Sequence, residues 1–478
     1  MDDNIMYQAL TARDSRFDGL FFVGVTTTGI YCRPICSART PNKDNCRFFR
    51  HAAAAEKEFF RPCLRCRPEL APGYTPLEAG QRMAHRLAQS IQETPINKDI
   101  PVEQLAKQLQ TSTRQLRRIA IKEFGVPPIK LAQTQRLLLA KQLLTETILP
   151  ITDIAFASGF SSVRRFNTLF KQHYHLTPTS LRKTIAPPVA DGFQLPLAYR
   201  PPLAWSALLE FLAGRAIKGV ESVTEQYYAR TLEFSGKQGW IKISPASSRG
   251  HYLNLELSVS FLPVLSKLLD QVRHFLDLCA RPDVIDQHLR QSSLFIPLLD
   301  CYPGLRVPGT MNPFELGWRA ILGQQISVAA ARTLANRFAQ QFGAALSTPF
   351  DQLSLLSPTP TIIAESTPQQ FQKLGILSSK ALAIINLAKQ WPILLGYLHA
   401  EDQEKFRHHL QSIKGIGPWT SQYMIMRAFG WPDAFMATDL GLRQATHKSA
   451  KELQIMAESW RPWRSYAAMY LWQSLARK

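Results

Sequence analysis

The sequence predicts a multidomain, mainly α-helical protein with α+β parts, and three observations carry that expectation. Its 478 residues exceed what one hydrophobic core organises, so about three or four domains are expected. Apolar residues recur at helical spacing over residues 80–185 and again over 289–478, whereas Tyr252-Leu253-Asn254-Leu255-Glu256-Leu257 alternates as a strand does. Four of the seven cysteines form two close pairs, Cys32-x3-Cys36 and Cys63-x2-Cys66, in a front segment of residues 1–76 too small to bury a large core unaided.

The formal charge of +20 points to a polyanionic partner, because each Lys or Arg that neutralises a phosphate releases a condensed counterion. These charges fall inside helical segments rather than in one tail, which favours nucleic acid. No long apolar run is evident and the first residues are charged rather than signal-like. The expectation is a cytoplasmic, nucleoid-associated protein without membrane attachment.

Residues 1–76 mix short extended runs, such as Gly19 to Val25, with turns and the cysteine pairs. In a reducing compartment such pairs are metal ligands more often than disulfides, and four thiolates suit tetrahedral zinc. Cys46, Cys279 and Cys301 have no partner at similar spacing and are expected to pack as small apolar side chains. Arg13-Asp14, Asp18-Gly19, Thr27-Thr28-Gly29-Ile30-Tyr31-Cys32-Arg33-Pro34 and Phe60-Arg61-Pro62-Cys63 resemble the zinc domain of Ada-type methyl phosphotriester repair proteins. The resemblance implies transfer of a methyl group onto zinc-bound Cys32, with Cys36, Cys63 and Cys66 as the remaining ligands. Zinc holds a cysteine as thiolate, so this nucleophile needs no general base. The residues alone do not separate Cys32 from Cys36.

Residues 80–185 carry two helix-turn-helix patterns. In the first, Val102 to Leu109 and Leu116 to Phe124 flank Thr111-Ser112, with Arg114, Gln115, Arg117 and Arg118 on the polar face. In the second, Ile151 to Ala155 and Ser161 to Phe170 flank Ser158-Gly159-Phe160, with Arg164 and Arg165 outward. Two such helices on one connecting helix can enter successive major grooves. Ala155-x2-Ser158-Gly159-Phe160 and Thr177-Pro178 resemble the AraC-type DNA-binding domain, which implies promoter DNA as a ligand and RNA polymerase as a candidate partner. Two reading helices in one chain make a monomer the expected state. Pro187, Pro188, Pro196, Pro201 and Pro202 then suggest a linker.

Near the C-terminus, Ile413-Lys414-Gly415-Ile416-Gly417-Pro418-Trp419-Thr420 places a Gly-x-Gly turn between two helical segments, with Asp439 a short helix later. Successive N–H groups at Gly415 and Gly417 can cradle a DNA phosphate. A lone Asp before an apolar helix is otherwise usually an N-cap. The pairing resembles the helix-hairpin-helix DNA glycosylases. Tyr199-Arg200-Pro201-Pro202 and Tyr227-Tyr228-Ala229-Arg230-Thr231 in residues 195–288 resemble the N-terminal α+β domain of the AlkA type. Pro303 to Gly309, Ala320 to Val328 and Arg461 to Ala467 extend that likeness through residues 289–478.

The resemblance implies excision of 3-methyladenine-like bases. Asp439 would stabilise an oxocarbenium-like sugar, and Trp419, Tyr423 and Trp472 would line an aromatic pocket for the flipped base. Trp419 stands where backbone-nicking relatives carry a lysine nucleophile, which implies a monofunctional enzyme. Two departures affect substrate range: Gln325 replaces the usual apolar wedge, and Leu440 replaces an aromatic beside the catalytic aspartate. The Pro-Cys-His-Arg site of O6-methylguanine transfer is not expected. A competing reading is a methylation-responsive transcription factor with an inactive glycosylase fold.

Overall fold

The computed structural model describes residues 2–73, 87, 90, 102–109, 111–182, 191–246 and 250–475. The expected first domain boundary, between residues 76 and 80, and the prolines Pro187 and Pro188 lie outside them. Contacts divide the chain into two compact units. One comprises residues 1–201, 246–270 and 278–280; the other comprises 202–245, 271–277 and 281–478.

In the first unit, a four-stranded sheet has the order β3-β1-β2-β4, with β1 Phe22–Val25, β2 Ile30–Cys32, β3 Cys46–Phe49 and β4 Arg61–Pro62. Strand β1 runs antiparallel to β2 and β3, while β2 and β4 are parallel in the register Ile30↔Arg61 and Tyr31↔Pro62. That parallel register brings Cys32, the last residue of β2, beside Cys63, the residue just after β4. The apolar clusters beneath are small: Met6, Ala9, Leu10, Leu20, Phe21 and Val23 form one, and Phe22, Tyr31, Ala52, Ala55 and Phe60 another.

The two expected helix-turn-helix patterns are present. Helices Val102–Gln108 and Thr113–Phe124 precede a long helix, Pro128–Glu146, and helices Ile151–Ala157 and Val163–Tyr174 follow it. Each second helix starts at a serine cap, Ser112 accepting from Gln115 N at 3.1 Å and Ser162 from Arg165 N at 3.2 Å. Each ends on a left-handed residue, Gly125 or His175. Leu116, Ala120 and Phe124 are buried on one helix, and Phe166, Phe170 and Tyr174 on the other, at the i, i+4 spacing of a single face. Arg114, Arg117, Arg118, Arg164 and Arg165 are all exposed.

Two expectations need correction in this part of the chain and beyond. Pro196 is not linker: it lies within strand β5, Gly192–Ala198, paired antiparallel with the Tyr252–Ser258 strand opposite Asn254. An edge strand such as β5 accommodates proline because the missing N–H can face away from the partner. Cys301, at the end of helix Ile296–Cys301, is exposed rather than packed, since that helix buries Leu299 instead.

In the second unit, β6 (Glu221–Val223), β7 (Tyr228–Phe234) and β8 (Lys237–Pro245) form antiparallel pairs, β6 with β7 and β7 with β8. A buried ionic network joins this sheet to helix Pro313–Leu322. Arg230 donates to Glu315 at 2.7 Å, Arg319 to Glu315 at 2.8 Å and to Glu221 at 2.9 Å, and the Tyr228 hydroxyl to Glu221 at 2.7 Å. Removing one member of such a network strands buried charge. Glu315→Leu is expected to cost about 3–5 kcal/mol, read as a lower urea midpoint for this unit; an unchanged midpoint would show that the network is dispensable.

Helix Ser378–His399 corrects the expectation of no long apolar run. With a mean hydropathy of 1.3 over its best window it is long and apolar enough to cross a membrane by length and composition. It packs against helices Pro313–Leu322, Pro360–Ala364 and Gln403–Ser412, burying Ala381, Ile384, Leu387, Trp391 and Leu394.

Candidate functional site

Asp439 is the N-cap of helix Leu440–Thr446, as a lone aspartate before an apolar helix should be, and it does more than cap. Its Oδ1 accepts from Leu442 N at 2.9 Å and from Trp472 Nε1 at 2.9 Å, and its Oδ2 accepts from Trp419 Nε1 at 2.8 Å. Two indoles and a helix N-terminus thus fix one half-buried carboxylate. A carboxylate has about four lone-pair sites. Among the described residues three donors occupy them, and Oδ2 keeps one site for a ligand.

The aromatic residues expected near Asp439 are brought together. Trp419 and Tyr423, one helical turn apart on helix Pro418–Ala428, stack with ring centroids 5.2 Å apart and planes 8° apart. Trp472, from helix Arg464–Leu475, meets Tyr423 edge-on at 6.3 Å and 65°. Behind them, Arg427 Nη1 donates to the Tyr423 hydroxyl at 2.8 Å, and the Arg215 and Arg427 guanidiniums lie 3.7 and 5.4 Å from the Phe211 ring centroid.

The hairpin that precedes this helix requires one of its two glycines. Gly415 has φ +96°, and a Cβ there would meet Ala383 Cβ at 2.9 Å. Gly417 is extended, and a Cβ there would meet nothing within 4 Å. Its openness leaves room for a backbone to approach. Gln325 is exposed at the turn between helices Pro313–Leu322 and Val328–Phe342, in left-handed backbone with φ +59°. Its neighbour Gln324 donates to Gly415 O and to Thr420 Oγ1, each at 3.0 Å. Lys380 Nζ donates to Leu322 O at 2.8 Å and Gln324 O at 2.7 Å. The strained turn is therefore tied to the hairpin and to helix Pro418–Ala428. Leu440 is exposed next to Asp439.

In the first unit, the sulfurs of Cys32, Cys36, Cys63 and Cys66 all lie within 4.8 Å of one another. Tetrahedral zinc at about 2.3 Å from each sulfur sets them about 3.8 Å apart, so the donor set and its spacing fit. The sulfurs differ in their backbone partners. Arg33 N donates to Cys66 Sγ at 3.3 Å and Arg65 N to Cys63 Sγ at 3.4 Å. Among the described residues no backbone N–H donates to Cys32 Sγ.

Family models match four successive stretches. They are the metal binding domain of Ada at residues 5–69, a helix-turn-helix domain at 105–184, the AlkA N-terminal domain at 194–312, and the HhH-GPD superfamily base excision DNA repair protein at 318–464. A probable bifunctional transcriptional activator/DNA repair enzyme AlkA of Mycobacterium tuberculosis (strain CDC 1551 / Oshkosh) is 35% identical over 481 residues, covering 98% of this chain and 96% of that protein. The chain belongs to this AlkA family. DNA-3-methyladenine glycosylase 2 of Escherichia coli (strain K12) is 36% identical over 280 residues, 58% of this chain and 95% of that one. A 3-methyladenine DNA-glycosylase structure from Archaeoglobus fulgidus shares the fold, with a TM-score of 0.52 at 22% identity over 58% of this chain and 97% of that one.

The AlkA-family chain thus combines a zinc-binding Ada domain, a helix-turn-helix domain and a DNA glycosylase domain. Sequence reasoning missed Phe211, Arg215, Arg427, Gln324 and Lys380. Arg427 carried a readable signal, since it stands four residues after Tyr423 on one helix face. The others reach the site only through tertiary packing.

Proposed function

We propose that the chain is a monofunctional DNA glycosylase that excises alkylated, 3-methyladenine-like bases, joined to a methyl-phosphotriester sensor that regulates transcription in response to DNA alkylation. The observation that carries the enzymatic half is the Asp439 carboxylate, fixed by three N–H donors beside the Trp419–Tyr423–Trp472 cluster. As the glycosidic bond breaks, the sugar gains positive charge, and a preorganised carboxylate with one free lone-pair site stabilises it. The aromatic faces favour a flipped base, the more so when methylation has made it cationic. Gly415 and Gly417 hold the backbone phosphate, and Gln325 enters the space the base vacates. With tryptophan at 419 no amine attacks the sugar, so an abasic site remains and borohydride traps no enzyme–DNA adduct. Assay of free base released from methylated duplex DNA tests this half: no release at any enzyme concentration would leave only a DNA-binding regulator.

In the regulatory half, zinc supplies a thiolate at neutral pH, and Cys36, Cys63 and Cys66 complete its ligand set. Support for Cys32 over Cys63 and Cys66 comes from their backbone partners, since an N–H donor withdraws charge from a sulfur; its preference over Cys36 rests on the likeness to the Ada domain. Its sulfur bonds the methyl carbon as that carbon leaves a phosphotriester oxygen, once per protein molecule. Four thiolates on zinc carry two negative charges, and one thioether reduces them to one. Less repulsion of phosphate follows, and at close range one charge pair is worth roughly 1 kcal/mol in water. Methylated protein should bind its promoter about fivefold more tightly at low salt, with a smaller gain at high salt. Equal affinity before and after reaction, or switching retained in Cys32→Ala, would reduce the module to a tether. Arg114, Arg117, Arg118, Arg164 and Arg165 provide the promoter contacts. We assign RNA polymerase as the partner of the activated monomer, acting at the nucleoid in the cytoplasm.

A further inference from the structure

Each nitrogen of the Arg427 guanidinium has a fixed acceptor, and one of the three acceptors belongs to the aromatic pocket. Nε donates to Pro308 O, Nη2 to Gly309 O and Nη1 to the Tyr423 hydroxyl, all at 2.8 Å. Arg427 is buried in the last turn of helix Pro418–Ala428, whereas the two carbonyls belong to the loop before helix Pro313–Leu322. His274 packs into the same knot. Its Nε2 donates to Arg427 O at 3.3 Å, and its ring leaves no room for a Cβ at Gly309 or Gly430, where one would stand 2.9 and 2.7 Å from ring atoms. Loop and helix end are thus held at one spacing, and the guanidinium between them has one pose.

Tyr423 carries that pose into the site. It stands four residues before Arg427 on the same helix face, and a phenol pinned at its hydroxyl cannot swing about its Cα–Cβ bond. Its ring therefore offers Trp419 one place to lie, stacked 5.2 Å away with planes 8° apart. Trp419 is half-exposed, and its indole is held by that stack and by its bond to Asp439. The two oxygens of Asp439 are not equally fixed. Oδ1 accepts from both Leu442 N and Trp472 Nε1, whereas among the described residues Oδ2 accepts from Trp419 alone. Oδ2 is also the oxygen with a lone-pair site left for a ligand.

We propose that Arg427 is a positioning residue for base excision: through Tyr423 and the stacked Trp419 it sets the direction in which Asp439 Oδ2 presents its free lone pair. The proposal rests on the base-excision reading. Arg427 acts on the rate through three contacts in series, guanidinium to hydroxyl, ring face to ring face, and indole N–H to carboxylate. A misplacement of about 1 Å at a reacting group costs on the order of a hundredfold in rate, so a small swing of Trp419 is measurable. Lysine does not replace the clamp, because its ammonium keeps the charge without the planar fork that meets two carbonyls and a hydroxyl together.

The test is single-turnover release of 7-methylguanine from duplex DNA, followed against enzyme concentration so that the maximal rate and the half-saturating concentration separate. Arg427→Lys should lower the maximal rate about tenfold or more and leave the half-saturating concentration within about twofold. Trp419→Phe removes the indole N–H, the last contact in the series. In that background Arg427→Lys should change the rate by less than about twofold, because the link it acts through is already cut. Tyr423→Phe keeps the ring and leaves the Pro308 and Gly309 carbonyls their donors. It too should lower the maximal rate only where Trp419 is present, and it supplies the measurement if Arg427→Lys does not fold. A wild-type rate in the single variants, or losses that multiply in the double variants as independent damage does, overturns the positioning role alone. Wild-type protein that releases no base refutes the base-excision reading and the proposal with it.

Discussion

Asp439→Asn should reduce single-turnover base release by about a hundredfold or more, the usual consequence of losing a preorganised charge that stabilises a transition state. The hydrogen bonds around the carboxylate say how the variant will sit. Oδ1 accepts two N–H groups, from Leu442 and Trp472, and Oδ2 one, from Trp419. An asparagine keeps its oxygen where two donors converge, which preserves the helix cap. Its amide then faces the Trp419 indole, donor against donor. The variant should therefore melt within about 1 kcal/mol of wild type and bind undamaged DNA normally, while Trp419 loses its anchor and its fluorescence changes. Release within threefold of wild type would remove Asp439 from the catalytic role. Loss of release together with unfolding would leave the role undecided on this variant, and Asp439→Ser, which retains a capping oxygen, then provides the measurement.

Much of this site was legible because its parts lie in short runs with local meaning. Trp419 and Tyr423 share a helix face, Gly415 marks a left-handed turn, and Asp439 begins a helix. Trp472 could be placed beside them only through family resemblance, and the structure provides the physical reason in its bond to Asp439. Arg215 and Lys380 were illegible for another reason. A lysine that donates to carbonyls at 322 and 324 looks in sequence like any surface lysine. The fold shows the same division. Reading helices were recognisable because Leu116, Ala120 and Phe124 repeat the spacing of Phe166, Phe170 and Tyr174. The apolar character of Ser378–His399 was masked by Lys380 and Lys389, which interrupt the run without cancelling its mean. Pro196 signalled a break because proline usually does, and strand pairing at an edge overrode it.

Zinc removal should unfold the front module and weaken promoter binding by the intact chain. The module's two apolar clusters are small, whereas structural zinc contributes apparent binding free energies of about 10–16 kcal/mol in small domains, at or above the whole stability of a typical one. The loss would spread along defined contacts. Tyr31, the residue before Cys32, donates its hydroxyl to Glu56 at 3.1 Å, and Glu56 accepts from Thr134 on helix Pro128–Glu146 at 2.6 Å. Lys141 on that helix, itself buried, pairs with Glu69 just beyond Cys66. Once strands β2 and β4 separate, Lys141 is a buried cation without its carboxylate, and the helix that spaces the two reading helices loses its support. Metal analysis should find one zinc per chain. Chelation should remove a cooperative transition from the melting curve and weaken promoter binding at least tenfold, with restoration on adding zinc. Base release uses none of the four cysteines and serves as the control for general damage. Folded protein without zinc, or chelated protein that still binds its promoter at full strength, would show that the reading helices stand without the metal.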